Sequence, residues 1–142
     1  MIRCCKVIPF YFGPRRITFE GSSDVLPLAE YVYENALNID PGPHIEMDTI
    51  IVNNSPDCDQ AVDFFNKING KKTKSGEIIV INGDNIGISF GAYNKAFEMF
   101  GGKYDYWAFT EDDIIINYDG FYSIAIDQLK ESVGFIALIG VS

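Results

Sequence analysis

The sequence predicts an α/β domain in which helices cover both faces of a mainly parallel sheet. Short, wholly apolar runs such as Ile78–Ile81 alternate along the chain with segments of helical periodicity, a pattern typical of strands buried on both faces. Nearly half of the 142 residues are apolar, which is enough for one domain with its own core. We therefore expect a single Rossmann-like three-layer α/β/α sandwich over residues 1–142 that stops just past its fifth strand.

The five strands are predicted from apolar runs bounded by glycine, proline or polar turns. Pro9 is expected to close the first of them, because proline cannot donate to a strand ladder. In chain order the predicted strands are Cys4–Ile8, Thr49–Val52, Ile78–Ile81, Tyr106–Phe109 and Phe135–Ile139.

Four helices are predicted between these strands, each from its spacing of apolar residues and its end signals. Ser22 or Ser23 can cap the first, whose apolar residues recur at i, i+3, i+4 and i+7. Asp57 can cap the second. In chain order, the first helix is predicted to end at about Leu37 and the second at Gly70. The third is predicted over Ala92–Phe100, before Gly101-Gly102, and the fourth over Phe121–Glu131.

Charge and composition argue against several classes of protein. A net charge of −9 gives no overall attraction for a nucleic-acid backbone. No apolar run reaches the roughly 18 residues of a membrane span, and the polar start Met1–Lys6 is not typical of a signal peptide. Cys4, Cys5 and Cys58 lack the C-x-x-C spacing of zinc sites and indicate buried free thiols. We expect a cytoplasmic protein without a transmembrane segment, able to work peripherally at a membrane.

Ligands of such sheets bind beyond the carboxyl ends of the strands, so we expect the functional residues in the loops there. Pro9–Arg16 follows the first strand, and its rings could stack on a flat base while its arginines meet phosphate. An ordinary loop packed on the sheet explains it equally well. Asn53–Asp57 follows the second strand, and its amides could contact a base or a ribose, or form a turn and a helix cap. The sequence leaves both alternatives open.

Three acidic residues, Glu111, Asp112 and Asp113, follow the fourth strand directly, and Ile114–Ile116 comes after them. In extended geometry Glu111 and Asp113 would point to one side of the strand and Asp112 to the other. Two carboxylates at this position suit Mg²⁺ or Mn²⁺, which prefer oxygen ligands and share them with phosphates. An acidic turn with Asp113 as a cap is the alternative.

The segment Gly87–Gly91 spells G-x-S-x-G, the pattern of a serine hydrolase nucleophile elbow. That chemistry needs a histidine after the serine, but the one histidine of the chain, His44, precedes Ser89. The elbow serine also follows its strand closely, whereas Asn82–Ile86 intervenes here. We therefore expect a ligand-facing turn in which glycines let the backbone approach closely.

Taken together, four segments resemble the nucleotide-sugar-binding half of a GT-A glycosyltransferase of the family-two type. The resemblance covers essentially the whole chain, with the motifs in the family's order and spacing. They are Pro9–Tyr11 after the first strand, Asp48–Asp57 around the second, Asn85–Ala96 with its N-x-G-x-S and N-x-A patterns, and Tyr104–Asp113 ending in a D-x-D-like motif.

The resemblance implies a binding site for a nucleotide diphosphate sugar such as a UDP-sugar, with Mn²⁺ or Mg²⁺ as cofactor. Its metal ligands would be Asp113 and Glu111, with Glu111 placed to touch the ribose or a metal-bound water. The implied acceptor is a hydroxyl of a glycan, a lipid or a protein, and inversion is favoured. The residues implied in donor binding are Pro9, Tyr11, Asn53, Asn54, Asp84, Asn85, Gly87, Asn94, Glu111 and Asp112.

The sequence departs from the family pattern at three points, one of which is that the loop Asn53–Asp57 is one residue shorter than in the family. Asn53-Asn54 stands where the family usually has an acid that contacts uracil. The acceptor half, which carries the general base in the family, has no counterpart here, so the base is expected outside this chain. Two other functions remain as alternatives, a nucleotidyltransferase of similar fold and a non-catalytic module that binds nucleotide sugars. The glycine-poor segment Pro9–Pro14 argues against the first.

Overall fold

The structure, a computed structural model, describes residues 1–13 and 24–131. In these ranges it is an α/β fold with an all-parallel four-stranded sheet flanked by helices, which confirms the predicted fold class. The predicted strand Phe135–Ile139 and the cap at Ser22 or Ser23 lie outside the described residues. In chain order the elements are β1 Ile2–Phe10, α1 Leu26–Asn38, β2 Ile45–Asn53, α2 Asp59–Ile68, β3 Ile78–Asn82, α3 Ile88–Phe100, β4 Tyr106–Phe109 and α4 Phe121–Glu131.

The strands lie in the order β3-β2-β1-β4. The strands β2 and β3 are added on one side of β1, and β4 is added on the other. β1 pairs with β2 along its whole length and ends with Phe10 opposite Asn53, whereas β4 pairs with β1 only as far as Phe109 opposite Val7. Because all four strands are parallel, their carboxyl ends meet at one edge, and the strand order reverses between β1 and β4.

Each face of the sheet carries a helix layer, because successive side chains of a strand point to opposite faces. Cys5 and Val7 of β1 pack on the face covered by α3, where α3 contributes two buried alanines. Cys4 and Ile8 point to the opposite face, where apolar residues of α1, α2 and α4 cover them. The core therefore consists of two layers divided by the sheet, and β1 contributes to both.

Lys6 of β1 and Tyr122 of α4 are among the polar side chains buried in the layer that α1, α2 and α4 cover. Lys6 is 4 % exposed between Cys4 and Ile8, and this burial lowers the pKa of its ammonium to about 8. Tyr122 of α4 is also buried, its hydroxyl has no hydrogen-bond partner among the described residues, and burial raises its pKa. Both groups lose hydration without full compensation, so each is expected to cost folding free energy.

Proline at position 9 does not end β1 as predicted, and the strand continues to Phe10. The carbonyls of Arg3 and Val7 accept hydrogen bonds from the β4 side of the sheet, whereas the carbonyl of Phe10 accepts one from the β2 side. By this alternation Pro9 turns its nitrogen toward the β4 side, beyond the last pair, Val7 with Phe109. The N–H that proline lacks is therefore not needed for pairing.

The helix ends are confirmed in part. Gly70 follows the last residues of α2 with φ +81°, the left-handed conformation expected of a glycine at this position. The prediction that Asp57 caps α2 is wrong. The cap position is Cys58, whose N–H donates to the carbonyl of Ser55 at 3.1 Å and so closes a turn that contains Asp57. α3 begins at Ile88 rather than Ala92.

Candidate functional site

The candidate site is the edge of the sheet where the carboxyl ends of the strands meet. The residues that directly follow the strands are Tyr11, Asn54, Gly83 and Thr110. At the reversal of strand order between β1 and β4, the backbone N–H of Tyr11 donates to Asp112 Oδ2 at 3.3 Å. The aromatic loop and the acidic loop that the sequence singled out therefore meet where open α/β sheets bind their ligands.

Hydrogen bonds also join the loop after β1 to the loop after β2. The N–H of Phe12 donates to Ser55 Oγ at 2.9 Å, and the N–H of Asn54 donates to the carbonyl of Phe10 at 2.8 Å. Asn53 is 1 % exposed, and its Oδ1 accepts from the N–H of Ser55 at 2.9 Å. The side chain of Asn53 thus fixes the turn, one of the two roles that the sequence left open for this loop.

The loop after β3 lies against the loop after β2. The N–H of Gly83 donates to the carbonyl of Asn53 at 2.8 Å, and a Cβ at Gly83 would collide with Asn54 Oδ1. Only glycine allows this contact, so Gly83 sets the position of the segment that follows. Asp84 is exposed, and its Oδ1 accepts from the N–H of Ile86 at 2.9 Å, a local turn that leads into α3.

The acidic loop after β4 is a turn, not an extension of the strand. The N–H of Ile114 donates to the carbonyl of Glu111 at 3.3 Å and closes that turn. The expectation that Glu111 and Asp113 share one side through strand alternation is therefore wrong. Glu111 is half-buried, Asp112 is 8 % exposed and Asp113 is exposed. The three carboxylates thus occupy three different environments.

Two hydroxyl groups of α3 lie beside the carboxylate of Glu111, and the single proton of the Tyr93 hydroxyl is shared between Glu111 and the nearer carbonyl of Thr110. Ser89 Oγ donates to Glu111 Oε2 at 2.6 Å, and Tyr93 Oη lies 3.2 Å from Glu111 Oε1. Tyr93 Oη is also 2.7 Å from the carbonyl of Thr110. Residues 89 and 93 share one helix face, since they are four apart. Neither contact was predicted from the sequence, although two hydroxyl residues at i, i+4 spacing were a readable signal.

The electrostatics of this cluster favour a protonated tyrosine. Burial, followed by the charge of Glu111, raises the pKa of Tyr93 above its ordinary value, so its hydroxyl stays a donor. The ring of Tyr93 packs on Phe109 with centroids 4.8 Å apart, and Phe109 in turn stacks on Trp107 at 6.0 Å. Phe90, which is 82 % exposed, lies 6.0 Å from Tyr93. An aromatic surface therefore adjoins Glu111.

The start of α3 has an unusual backbone. Asn85, Gly87 and Ile88 have φ values of 61°, 75° and 52°. Such values are rare outside glycine, above all for a β-branched residue. A Cβ at Gly91 would collide with the carbonyl oxygen of Ile86. The two glycines of the G-x-S-x-G pattern thus permit a tight turn, and this turn precedes the residue that contacts Glu111.

The outer face of α3 and the single histidine lie apart from this cluster. Asn94 is exposed, and its Nδ2 donates to Glu98 Oε1 at 3.0 Å along the helix surface. The structure therefore does not bring Asn94 to the residues around Glu111. His44 precedes β2 at the opposite end of the sheet, where its carbonyl accepts from Ile2. Ser89 consequently has no histidine beside it.

The acidic turn offers oxygen donors of the kind that Mg²⁺ or Mn²⁺ prefers. Asp113 is exposed, while both oxygens of Glu111 already contact hydroxyl groups. Within residues 1–13 and 24–131, no three His, Cys, Asp or Glu side chains gather into a metal-binding group. A cation at this turn would have Asp113 as its exposed carboxylate and would need a bound phosphate and water as its other ligands, which Mg²⁺ often has.

Two surface cavities lie at the other end of the sheet. One of about 190 Å³ is lined by residues such as Arg3, Asp48 and Tyr104, and one of about 400 Å³ by residues such as Ile2 and Lys130. Tyr104 Oη donates to Asp48 Oδ2 at 2.7 Å, which satisfies the carboxylate inside the strand. We place the candidate site at the carboxyl edge because the loops that follow all four strands meet there.

Comparison with protein-family models, with curated proteins and with solved structures found no match. In the part of the chain that the structure describes, no helix is long and apolar enough to cross a membrane. The likeness to glycosyltransferases therefore rests on the sequence motifs given above and remains a prediction.

Proposed function

We propose that this chain is the donor-binding domain of a metal-dependent glycosyltransferase. The reaction would move a sugar from a nucleotide diphosphate to a hydroxyl of a glycan, a lipid or a protein, with inversion. The single observation that carries the proposal is the contact of Tyr11 with Asp112 across the reversal of strand order. It joins an aromatic loop to an acidic loop at the position where nucleotide ligands of open α/β sheets bind.

The two loops offer complementary chemistry for a nucleotide. The ring of Tyr11 is partly exposed and can pack against a base. Asn54, beside Gly83, is the amide that we assign to the base or ribose, since Asn53 is committed to its turn. Gly83 and Gly87 would let the backbone approach the ligand closely and form a wall of its pocket. Aromatic, amide and backbone groups of the chain would thus contact the nucleotide.

The phosphate end of the nucleotide belongs at the acidic turn. Because this turn and the chain as a whole are negatively charged, a diphosphate needs a cation beside it. When bound, Mn²⁺ or Mg²⁺ supplies Lewis acidity that stabilises the departing diphosphate. Asp113 is the residue that would hold the cation, since it is the exposed carboxylate of the turn. The general base is assigned to a segment other than the described residues, and a cytoplasmic location stays a prediction.

Titration calorimetry with a panel of nucleoside diphosphates, with and without Mn²⁺, tests the proposal. We expect at least one diphosphate to bind, and only when Mn²⁺ is present. Tighter binding of triphosphates than of diphosphates would point instead to a nucleotidyltransferase. Should no nucleotide bind in the presence of the metal, the proposal would be wrong.

Asp113→Asn tests the assigned metal residue. We expect Mn²⁺-dependent nucleotide affinity to fall at least about tenfold, because an amide does not replace the charge of a carboxylate ligand. The melting temperature should stay close to that of the wild type, since Asp113 is exposed. Asp63→Asn, the same change at an exposed position of α2, is the matched control. Equal affinity in the two variants would show that the acidic segment is only a turn.

A further inference from the structure

We infer that Ser89 is a positioning residue that restrains the carboxylate of Glu111, the group that the family resemblance assigns to the ribose of a bound nucleotide. This inference rests on the proposed function. It adds a role for the serine of G-x-S-x-G to the ligand-facing turn that the sequence predicts. Ser89 Oγ lies 2.6 Å from Glu111 Oε2, a length typical of a hydroxyl donating to a charged carboxylate.

The contact restrains the orientation of Glu111, and a second hydroxyl, which also reaches the carbonyl of Thr110, lies beside its other oxygen. Tyr93 Oη lies 3.2 Å from Glu111 Oε1, one helical turn along α3 from Ser89. A glutamate side chain turns about three bonds, and two hydroxyl contacts from one rigid helix restrict that rotation. Each carboxylate oxygen can accept more than one hydrogen bond, so Glu111 can still receive one from a ligand.

The unusual backbone conformation directly before Ser89 also supports a positioning role for this serine. Ile88, directly before the serine, has φ 52°, and Gly87 has φ 75°. This conformation is unfavourable for isoleucine, and Ile88 is the residue at which α3 begins. It sets Ser89 in the first turn, on the face that Tyr93 also occupies. A helix beginning at Ala92 would have left Ser89 in the preceding loop.

By this inference, Glu111 and Asp113 have different roles in the site. The oxygens of Glu111 lie beside hydroxyl groups of α3 but can each accept a further hydrogen bond, so we assign Glu111 to the sugar hydroxyls. Asp113 is exposed and is suited to the cation. Loss of the Ser89 hydroxyl should therefore weaken recognition of ribose hydroxyls and leave metal-dependent binding of the phosphates in place.

The test compares ribonucleoside diphosphates with their 2′,3′-dideoxy analogues in the presence of Mn²⁺, by calorimetry. We expect Ser89→Ala to weaken ribonucleotide binding about tenfold, the effect of one lost hydrogen bond to a charged group. Dideoxynucleotide binding should be unchanged. Ser89→Thr keeps the hydroxyl and should retain the wild-type preference for ribose. Ser123→Ala, a serine near the start of α4, is the matched control, and melting temperatures verify folding.

An unchanged ribose preference in Ser89→Ala would overturn the inference and leave the proposed function standing. If the wild type bound no nucleotide, the proposed function would fail on its own, and side-chain NMR of Glu111 would then decide the positioning role. We expect Glu111 to hold one rotamer in the wild type and to average among several in Ser89→Ala. A single rotamer in both proteins would refute the positioning role.

Discussion

Lys6 is a charged side chain in the middle of the central strand, and replacing it with methionine should stabilise the protein. Its neighbours in the sheet are Thr49 and Ala108, and the core residues Cys4 and Ile8 flank it on the same face. Within residues 1–13 and 24–131 no carboxylate is paired with its ammonium, and burial lowers its pKa from 10.5 to about 8. The buried charge of Lys6 therefore lowers the free energy of unfolding.

The size of the cost follows from the pKa of Lys6. Each tenfold loss of proton affinity is worth about 1.4 kcal/mol, so the charged form costs about 3 kcal/mol at pH values below both the folded and the unfolded pKa. Between about pH 8 and pH 10.5 the unfolded chain binds more protons at this lysine than the folded one, so its contribution to stability rises with pH. Above that window the cost disappears.

Urea unfolding of wild type and Lys6→Met, followed by far-ultraviolet circular dichroism, measures this difference. The variant should gain about 3 kcal/mol in free energy of unfolding at about pH 7, and about 1 kcal/mol at about pH 10. Titration of the cysteines and tyrosines is common to both proteins and cancels in the difference. Lys71→Met, at an exposed position, is the control and should change little. A gain that did not depend on pH would refute the reasoning, because packing alone would then explain it.

Two further substitutions test groups described above. Tyr122→Phe should raise the free energy of unfolding by about 1 kcal/mol, because it removes a buried hydroxyl that has no partner among the described residues; lower stability in this variant would mean that the hydroxyl is satisfied after all. Gly87→Ala should lower the free energy of unfolding by about 1 to 2 kcal/mol, because its φ of 75° is unfavourable for alanine. Gly102→Ala, where an added Cβ meets nothing within 4 Å, is its control, and equal effects at the two glycines would contradict the argument.

The strand pattern was predictable because a parallel sheet needs apolar residues on both faces. β4 was predicted with its observed bounds, Tyr106–Phe109. β2 was predicted to begin at Thr49, yet it begins at Ile45 and contains Asp48. That carboxylate is tolerated because Tyr104 Oη and the N–H of Glu77 donate to it at 2.7 and 3.0 Å. These partners are distant in sequence, so single-segment patterns could not reveal them.

The meeting of the four loops at one edge of the sheet was predictable, but the contacts among them were not. Parallel strands bring their carboxyl ends to one edge, so the residues after each strand could be named from the sequence. The bond from Ser89 to Glu111 joins residues 22 positions apart. It depends on α3 starting at Ile88, and the predicted start at Ala92 left Ser89 in a loop. An error of one helical turn at a boundary was enough to hide a site residue.

The chain has one tryptophan, Trp107. A short series of rings connects it with the site, since Trp107 stacks on Phe109 and Phe109 packs on Tyr93, which contacts Glu111. A ligand that moves the carboxylate of Glu111 therefore alters the surroundings of this indole by way of Tyr93 and Phe109. The intrinsic fluorescence of the unlabelled protein is thus expected to give an optical signal of occupancy, without competition from a second tryptophan.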